Sequence, residues 1–288
     1  MAIKKNFFLV LFFLPILFIY GVLVGQYEIF PFSIVRNTKR IFVPEKSIDR
    51  NNQNLSSLKE IDAENIYMPK IFLTYGQSNS ANHGQIGYEV TKDIFMFYGG
   101  KIYEYKDPTI GATGNSGSVW GRVGDKLVEQ GLSESIIFAS SGVGGSSIKK
   151  LTYGKNFDFF ISQVKSLQNK FHRIDGILFH QGESNHFLNK GSKNYKKDFE
   201  SFLINLRKYT KAPIYLSQAS ICDSRTDPKL INIQNELIKK HKLLLRGPNS
   251  DLINSPKDRL PDNCHFSEEG FELLSDLWVE SIKLNSED

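Results

Sequence analysis

Five short, continuously apolar runs mark the chain from residue 70 onward: residues 71–75 (IFLTY), 94–98 (IFMFY), 135–140 (SIIFAS), 176–180 (GILFH) and 213–218 (PIYLSQ). Runs without polar alternation fit strands buried on both faces, as in a parallel sheet. Between them apolar residues recur at helical spacing. Phe157, Phe160, Ile161, Val164, Leu167 and Phe171 form one such stripe, and Tyr195, Phe199, Phe202, Leu203, Leu206 and Tyr209 form another. Strands separated by helices imply right-handed crossovers and a three-layer α/β/α sandwich with a mainly parallel sheet. In such a sheet ligands bind beyond the carboxyl ends of the strands.

The first segment follows a different pattern. After Lys4 and Lys5 comes an unbroken apolar run from Phe7 to Gly25. At about nineteen residues it is long enough to span a bilayer core as a helix and long for the hydrophobic part of a cleaved signal. No small-x-small cleavage pattern follows it, and Pro15 is tolerable in a membrane helix. Residues 1–25 are therefore expected to be a signal-anchor or transmembrane segment, a cleaved signal being the alternative. Arg36, Lys39 and Arg40 beyond the run partly cancel the orienting effect of Lys4 and Lys5. Residues 26–69 are polar, lack sustained periodicity and read as a stalk that packs at most partly. Residues 70–288 then form the main folded domain.

Composition changes this picture little. The 288 residues are 40% hydrophobic and 23% charged, which excludes a wholly disordered or fibrous chain. The net charge of +5 is concentrated between Ser146 and Lys211, mostly on the polar faces of the two helical stripes. No nucleic-acid motif accompanies it, so no nucleic-acid partner is expected. Two cysteines, Cys222 and Cys264, exclude a disulfide framework and a four-thiolate zinc site. No cluster of ligands is spaced for a metal, and no cofactor motif is present. Cys222 follows the fifth apolar run and Cys264 lies in a loop near the C-terminus. In a doubly wound sheet both would sit on one rim, so a bond between them is geometrically plausible, two free thiols being the other outcome. Such a bond requires an oxidising compartment and places the domain outside the cytoplasm.

Polar clusters follow the apolar runs. Gly76-Gln77-Ser78-Asn79-Ser80 turns the chain sharply after the first and places the Ser78 hydroxyl at the lip of the sheet. A plain Ser/Asn helix cap would have the same composition. Ser141-Gly142-Val143-Gly144-Gly145-Ser146-Ser147 follows the third, a glycine-rich turn whose N–H groups can converge on a ligand oxygen. It is not a phosphate loop of the Gly-Lys-Ser type. Gln181-Gly182-Glu183-Ser184-Asn185 follows the fourth. Asp262-Asn263-Cys264-His265 precedes the last helix, and its spacing lets the carboxylate reach the imidazole of the same loop. Together these supply a serine nucleophile, a histidine base, an orienting aspartate and donors for an oxyanion. His180, at a strand end, reads as packed or pocket-lining. His83, His172, His186 and His241 read as ordinary surface or loop residues.

These four blocks, in this order, resemble the SGNH (GDSL-like) hydrolase superfamily, and within it the sialate O-acetylesterase and acetylxylan esterase group. The resemblance runs from about Lys70 to the C-terminal helix and implies a flavodoxin-like α/β/α fold. GQSN (residues 76–79) is similar to the nucleophile block, residues 144–148 (GGSSI) to the glycine block, QGESN (181–185) to the third block and DNCHFSEEG (262–270) to the last. A tryptophan common in the group after the glycine block is missing around Lys150 and Leu151.

By that resemblance Ser78 is the nucleophile, His265 the general base and Asp262 its orienting carboxylate. The oxyanion hole comprises the N–H of Ser78, the N–H of Gly144 (Gly145 is the near alternative) and the side-chain amide of Gln181, with Asn185 as the other option for the third donor. Asn79 and Glu183 hold the loops in place. The expected activity is removal of O-acetyl groups from a carbohydrate by a membrane-anchored esterase. The rivals are an acyltransferase using the same triad on a glycan hydroxyl, a lipid-directed esterase, and a non-catalytic sugar-binding module.

Overall fold

The computed structural model describes Pro15, residues 17–21, Arg50, residues 55–187 and residues 192–285. The chain divides into two units, Met1–Ile48 and Asp49–Asp288. In the first, the described residues 15 and 17–21 are helical. No helix among the described residues is long and apolar enough to cross a membrane. The span expected over residues 1–25 lies mostly outside them.

The second unit carries one eight-stranded sheet. Its strands are β1 (Glu60–Ile61), β2 (Pro69–Gly76), β3 (Ile94–Tyr98), β4 (Lys101–Glu104), β5 (Ser135–Ser140), β6 (Gly176–His180), β7 (Ile214–Gln218) and β8 (Leu244–Asn249), in the spatial order β1-β4-β3-β5-β2-β6-β7-β8. All five apolar runs are strands, and from β3 to β8 every neighbouring pair is parallel. Without the β3–β4 hairpin and β1, the chain order across the sheet is 2-1-3-4-5, the flavodoxin-like order, with its switch point beside β2.

Three strands are additional to the expected five. β4 pairs antiparallel with β3 through Gly99-Gly100, both at positive φ (59° and 84°). That glycine pair is a sequence signal for a two-residue hairpin turn. β1 pairs antiparallel with β4, and Leu58 and Ile66 are buried beside it, so the end of the expected stalk packs onto the domain. β8 (LLRGPN) lacks a continuous apolar run because Arg246 and the Gly-Pro step interrupt it.

Seven helices complete the described unit: α1 (Trp120–Glu129), α2 (Ile148–Thr152), α3 (Lys155–Phe171), α4 (Glu183–Phe187), α5 (Tyr195–Leu206), α6 (Pro228–Lys240) and α7 (Glu268–Leu284). Side chains alternate across each strand, so both faces of the sheet need cover. On one face Phe72, Phe138, Leu178 and Tyr215 share a buried cluster with Trp120 of α1 and Phe271, Leu274 and Trp278 of α7. On the other, Tyr75 stacks on Phe160 of α3 at 4.0 Å and Phe179 lies 5.2 Å from Phe202 of α5. The predicted stripes of α3 and α5 are their buried faces, apart from Phe171, which is half-buried, and Tyr209, which lies beyond α5 and is exposed. Each large side chain buried this way contributes about 1.5–3 kcal/mol, so the sheet is held rigidly from both sides.

Candidate active site

The three central strands β5, β2 and β6 end side by side, and each releases one polar block. Gly76 closes β2 at φ 139°, where a Cβ would lie 2.0 Å from the carbonyl oxygen of His180 on β6. No side chain fits between these strands, so the turn demands glycine. Gln77 N–H then donates to that same carbonyl (2.9 Å), and Ser78 opens a single 3-10 turn, Ser78–Ser80. A Cβ at Gly142 would lie 2.6 Å from Ser80 Oγ, so the glycine loop after β5 packs directly on the Ser78 turn.

The Asp262–His265 loop explains its own spacing. Asp262 Oδ1 accepts from the N–H groups of Cys264 (2.9 Å) and His265 (3.0 Å), while Oδ2 pairs with His265 Nδ1 at 2.5 Å. One carboxylate therefore folds the turn and orients the imidazole, leaving Nε2 for chemistry. Burial works to raise the Asp262 carboxyl. The His265 N–H and imidazole and the Cys264 N–H outweigh it and hold the group below its ordinary value.

Two links fasten this loop to the rest of the site. Cys264 forms a disulfide with Cys222, just past β7. The Cys264 carbonyl accepts from Arg259 Nη1 (2.7 Å) and from Asn79 Nδ2 (3.1 Å). Asn79 follows Ser78 and Cys264 precedes His265, so this second bond brings the Ser78 and His265 blocks together. Among the described residues Ser78 Oγ makes no hydrogen bond to His265.

Beneath them lies a buried polar cluster. Glu183 Oε1 accepts from Asn79 Nδ2 (2.7 Å) and pairs with His180 Nε2 (2.9 Å). Burial pushes the Glu183 carboxyl up, but the charge and hydrogen bond of His180 and the Asn79 amide prevail and hold it at about 2. Glu183 thus ties the strand-end loop of β6 to the Ser78 turn, and His180 is fully packed rather than pocket-lining. Gln77 adds a second tie, its Oε1 accepting from Ser184 N–H at 2.9 Å.

The expected oxyanion donors differ in their engagement. Ser78 N–H has no protein acceptor among the described residues. Gly144 N–H donates to Thr113 Oγ1 (2.8 Å). Gln181 is fully buried, and its Nε2 donates to Asn185 Oδ1 (2.7 Å), Ser146 O (3.2 Å) and Gln77 Oε1 (3.3 Å). Asn185 Oδ1 also receives the N–H of Ile148 at the start of α2.

His83 corrects its reading as an ordinary loop residue. Its ring stacks on His265 with centroids 5.7 Å apart, and its Nε2 lies 3.1 Å from Thr113 Oγ1. No motif spacing points to it, because Thr113 lies thirty residues away in sequence. Burial and the nearby His265 push the His83 imidazole down to about 4.

A flavodoxin-like sheet carrying a serine turn, a glycine loop and an Asp-x-x-His loop at its strand ends defines an SGNH-type hydrolase. Residues 68–282 match the family described as carbohydrate esterase, sialic acid-specific acetylesterase, and the chain belongs to it. It is a carboxylic ester hydrolase. Among solved structures it is similar to a protein from Arabidopsis thaliana, at TM-score 0.62 and 16% identity over 76% of this chain and 99% of that one. It is also similar to a carbohydrate acetylesterase from Xanthomonas citri, at TM-score 0.50 and 15% identity over 74% of this chain and 55% of that one. At these identities the likeness is one of fold. No curated protein matches the chain in sequence.

Proposed function

We propose that the chain is a serine esterase that removes O-acetyl groups from a carbohydrate, a sialic acid being the first candidate from the family's description. The observation that carries the reading is the Asp262–His265 pair joined to the nucleophile turn by the Asn79–Cys264 bond. Ser78 Oγ attacks the acetyl carbonyl carbon while its proton passes to His265 Nε2. The tetrahedral intermediate then collapses, and the imidazolium returns the proton to the departing sugar oxygen. Water attacks the acetyl-serine with His265 as base, releasing acetate and restoring Ser78. The N–H groups of Ser78 and Gly144 (or Gly145) and the Gln181 amide hold the oxyanion, each worth about 3 kcal/mol in the transition state. Gln181 must exchange present bonds to do so, and so must Gly144 unless Gly145 serves in its place.

The same reading anchors the protein by its N-terminal apolar run with the catalytic domain outside the cytoplasm. The Cys222–Cys264 disulfide supports that compartment, since such bonds persist where the milieu is oxidising.

The test is acetate release from O-acetylated sialic acids, acetylated xylan and a short aryl acetate, with water and free sugar compared as acceptors. Acetate release abolished by Ser78→Ala is expected. Release that survives in Ser78→Ala removes the serine mechanism, and acetyl transfer to the sugar in place of hydrolysis makes the protein a transferase.

A further inference from the structure

Thr113 stands between the glycine loop and His83. Its Oγ1 accepts the Gly144 N–H at 2.8 Å and lies 3.1 Å from His83 Nε2. Thr113 is nine-tenths buried, and among the described residues its hydroxyl contacts, besides the Gly144 N–H, His83 Nε2. A hydroxyl that accepts from one partner donates best to the other, which places the ring proton of His83 on Nδ1. The opposite tautomer would give the hydroxyl two donors and leave its own proton without a partner. His83 is also crowded against the loop itself: a Cβ at Gly144 would lie 2.7 Å from its Nε2.

The backbone keeps these groups in register. Asn82 N–H donates to Thr113 O (2.9 Å), and Asn82 Oδ1 accepts from Thr109 N–H (2.8 Å). Thr113 N–H in turn donates to Gly142 O (3.0 Å). The nucleophile turn, the loop holding Thr113 and the glycine loop thus form three rungs, with His83 closing them at the site.

We propose that His83 and Thr113 are positioning residues for the hydrolysis: the Gly144 N–H, Thr113 hydroxyl and His83 Nε2 form a relay that fixes the Gly144 peptide and so leaves the next N–H of the loop, that of Gly145, to face the reacting carbonyl. The proposal rests on the reading of Ser78 and His265 as nucleophile and base. A ring held neutral by burial suits it, since a protonated Nε2 would have no lone pair to offer Thr113.

The experiment is steady-state hydrolysis of p-nitrophenyl acetate by the full chain and by His83→Phe, Thr113→Val, their double variant and Thr113→Ser, each with a melting temperature. Phenylalanine keeps a ring against His265 and removes only the acceptor. The expected result is a fall in kcat of roughly tenfold to a hundredfold in both single variants, with KM within about threefold. The double variant is expected to be no slower than the worse single one, because both break the same relay. Thr113→Ser, which keeps the hydroxyl, recovers kcat to within about threefold. An unchanged or raised kcat in Thr113→Val, losses confined to KM, losses that multiply in the double variant, or no recovery in Thr113→Ser overturns the proposal. Ser78→Ala is measured alongside. If the unaltered chain shows no turnover that depends on Ser78, the esterase reading has failed. The relay is then decided by the imidazole nitrogen NMR shifts of His83. A proton on Nδ1, with an Nε2 shift that moves in Thr113→Val, upholds the relay, and a proton on Nε2 overturns it.

Discussion

Gln181 and Glu183 show how little a side chain's type says before its neighbours are known. Both leave the end of β6, yet Gln181 is locked to Asn185, Ser146 and Gln77, while Glu183 is held by His180 and Asn79. Gln181→Ala should lower kcat by roughly 10²–10³ with a small effect on KM if its amide turns to the developing oxyanion. Asn185→Ala should be milder in kcat, and steady-state kinetics that reverse this order would move the donor role to Asn185. Both variants should also melt lower, since each leaves a buried polar partner unpaired.

Glu183 makes a separate prediction about acid. Its carboxyl lies at about 2 in the folded protein against an ordinary value of 4.5. A depressed folded value means that its stabilisation is present in full above about 4.5 and is lost as pH falls from there towards about 2. Asp262 acts in the same direction below its ordinary 3.8. Denaturant unfolding of the full chain from pH 6 to pH 2.5 should show stability falling across that window. Glu183→Gln should give a lower but flatter profile, and an equally steep one would contradict the role given to the carboxylate.

Elements place these residues, and the strand ends are the least forgiving part of the fold. Gly76 combines a positive φ with a contact that a methyl group cannot make without separating β2 from β6. Gly76→Ala should therefore cost more than about 2 kcal/mol and remove activity with it. A melting curve within a degree or two of the unaltered protein would show that the turn can relax. The five buried strands were legible as apolar runs because a strand covered on both faces has no polar alternation to hide it. The hairpin of β3 and β4 was legible only through Gly99-Gly100, and β8 was not, because its exposed Arg246 and Gly-Pro step erase the run. α4, five residues at a strand end, offers no periodicity to read.

At the scale of the whole molecule, the Cys222–Cys264 bond joins the end of β7 to the loop that carries Asp262 and His265, closing forty-two residues of separation. Loop closure of that length is worth on the order of 3–4 kcal/mol. Reduction, or the double change Cys222→Ser with Cys264→Ser, should lower the melting temperature by roughly 6–15 °C for a domain of this size. It should also lower kcat, because Cys264 lies between Asp262 and His265. Loss of stability with kcat intact would make the bond a staple alone. A count of two free thiols in denatured, unreduced protein from its native compartment would remove the bond and weaken the case for an outside location.

The sequence alone determined the layering, the parallel core, the serine turn and the Asp-x-x-His pair. Each of these is written within a few residues: apolar runs, helical stripes, a glycine where a strand must turn, a carboxylate three residues before its imidazole. Tertiary structure alone decided that His83 faces Thr113 across thirty residues, that Asn79 reaches Glu183 across 104 and the Cys264 carbonyl across 185, and that Cys222 meets Cys264. Those contacts depend on which strands lie side by side and how their loops converge, and no local period or turn preference encodes that. His83 therefore looked like any loop histidine until the fold set it against His265.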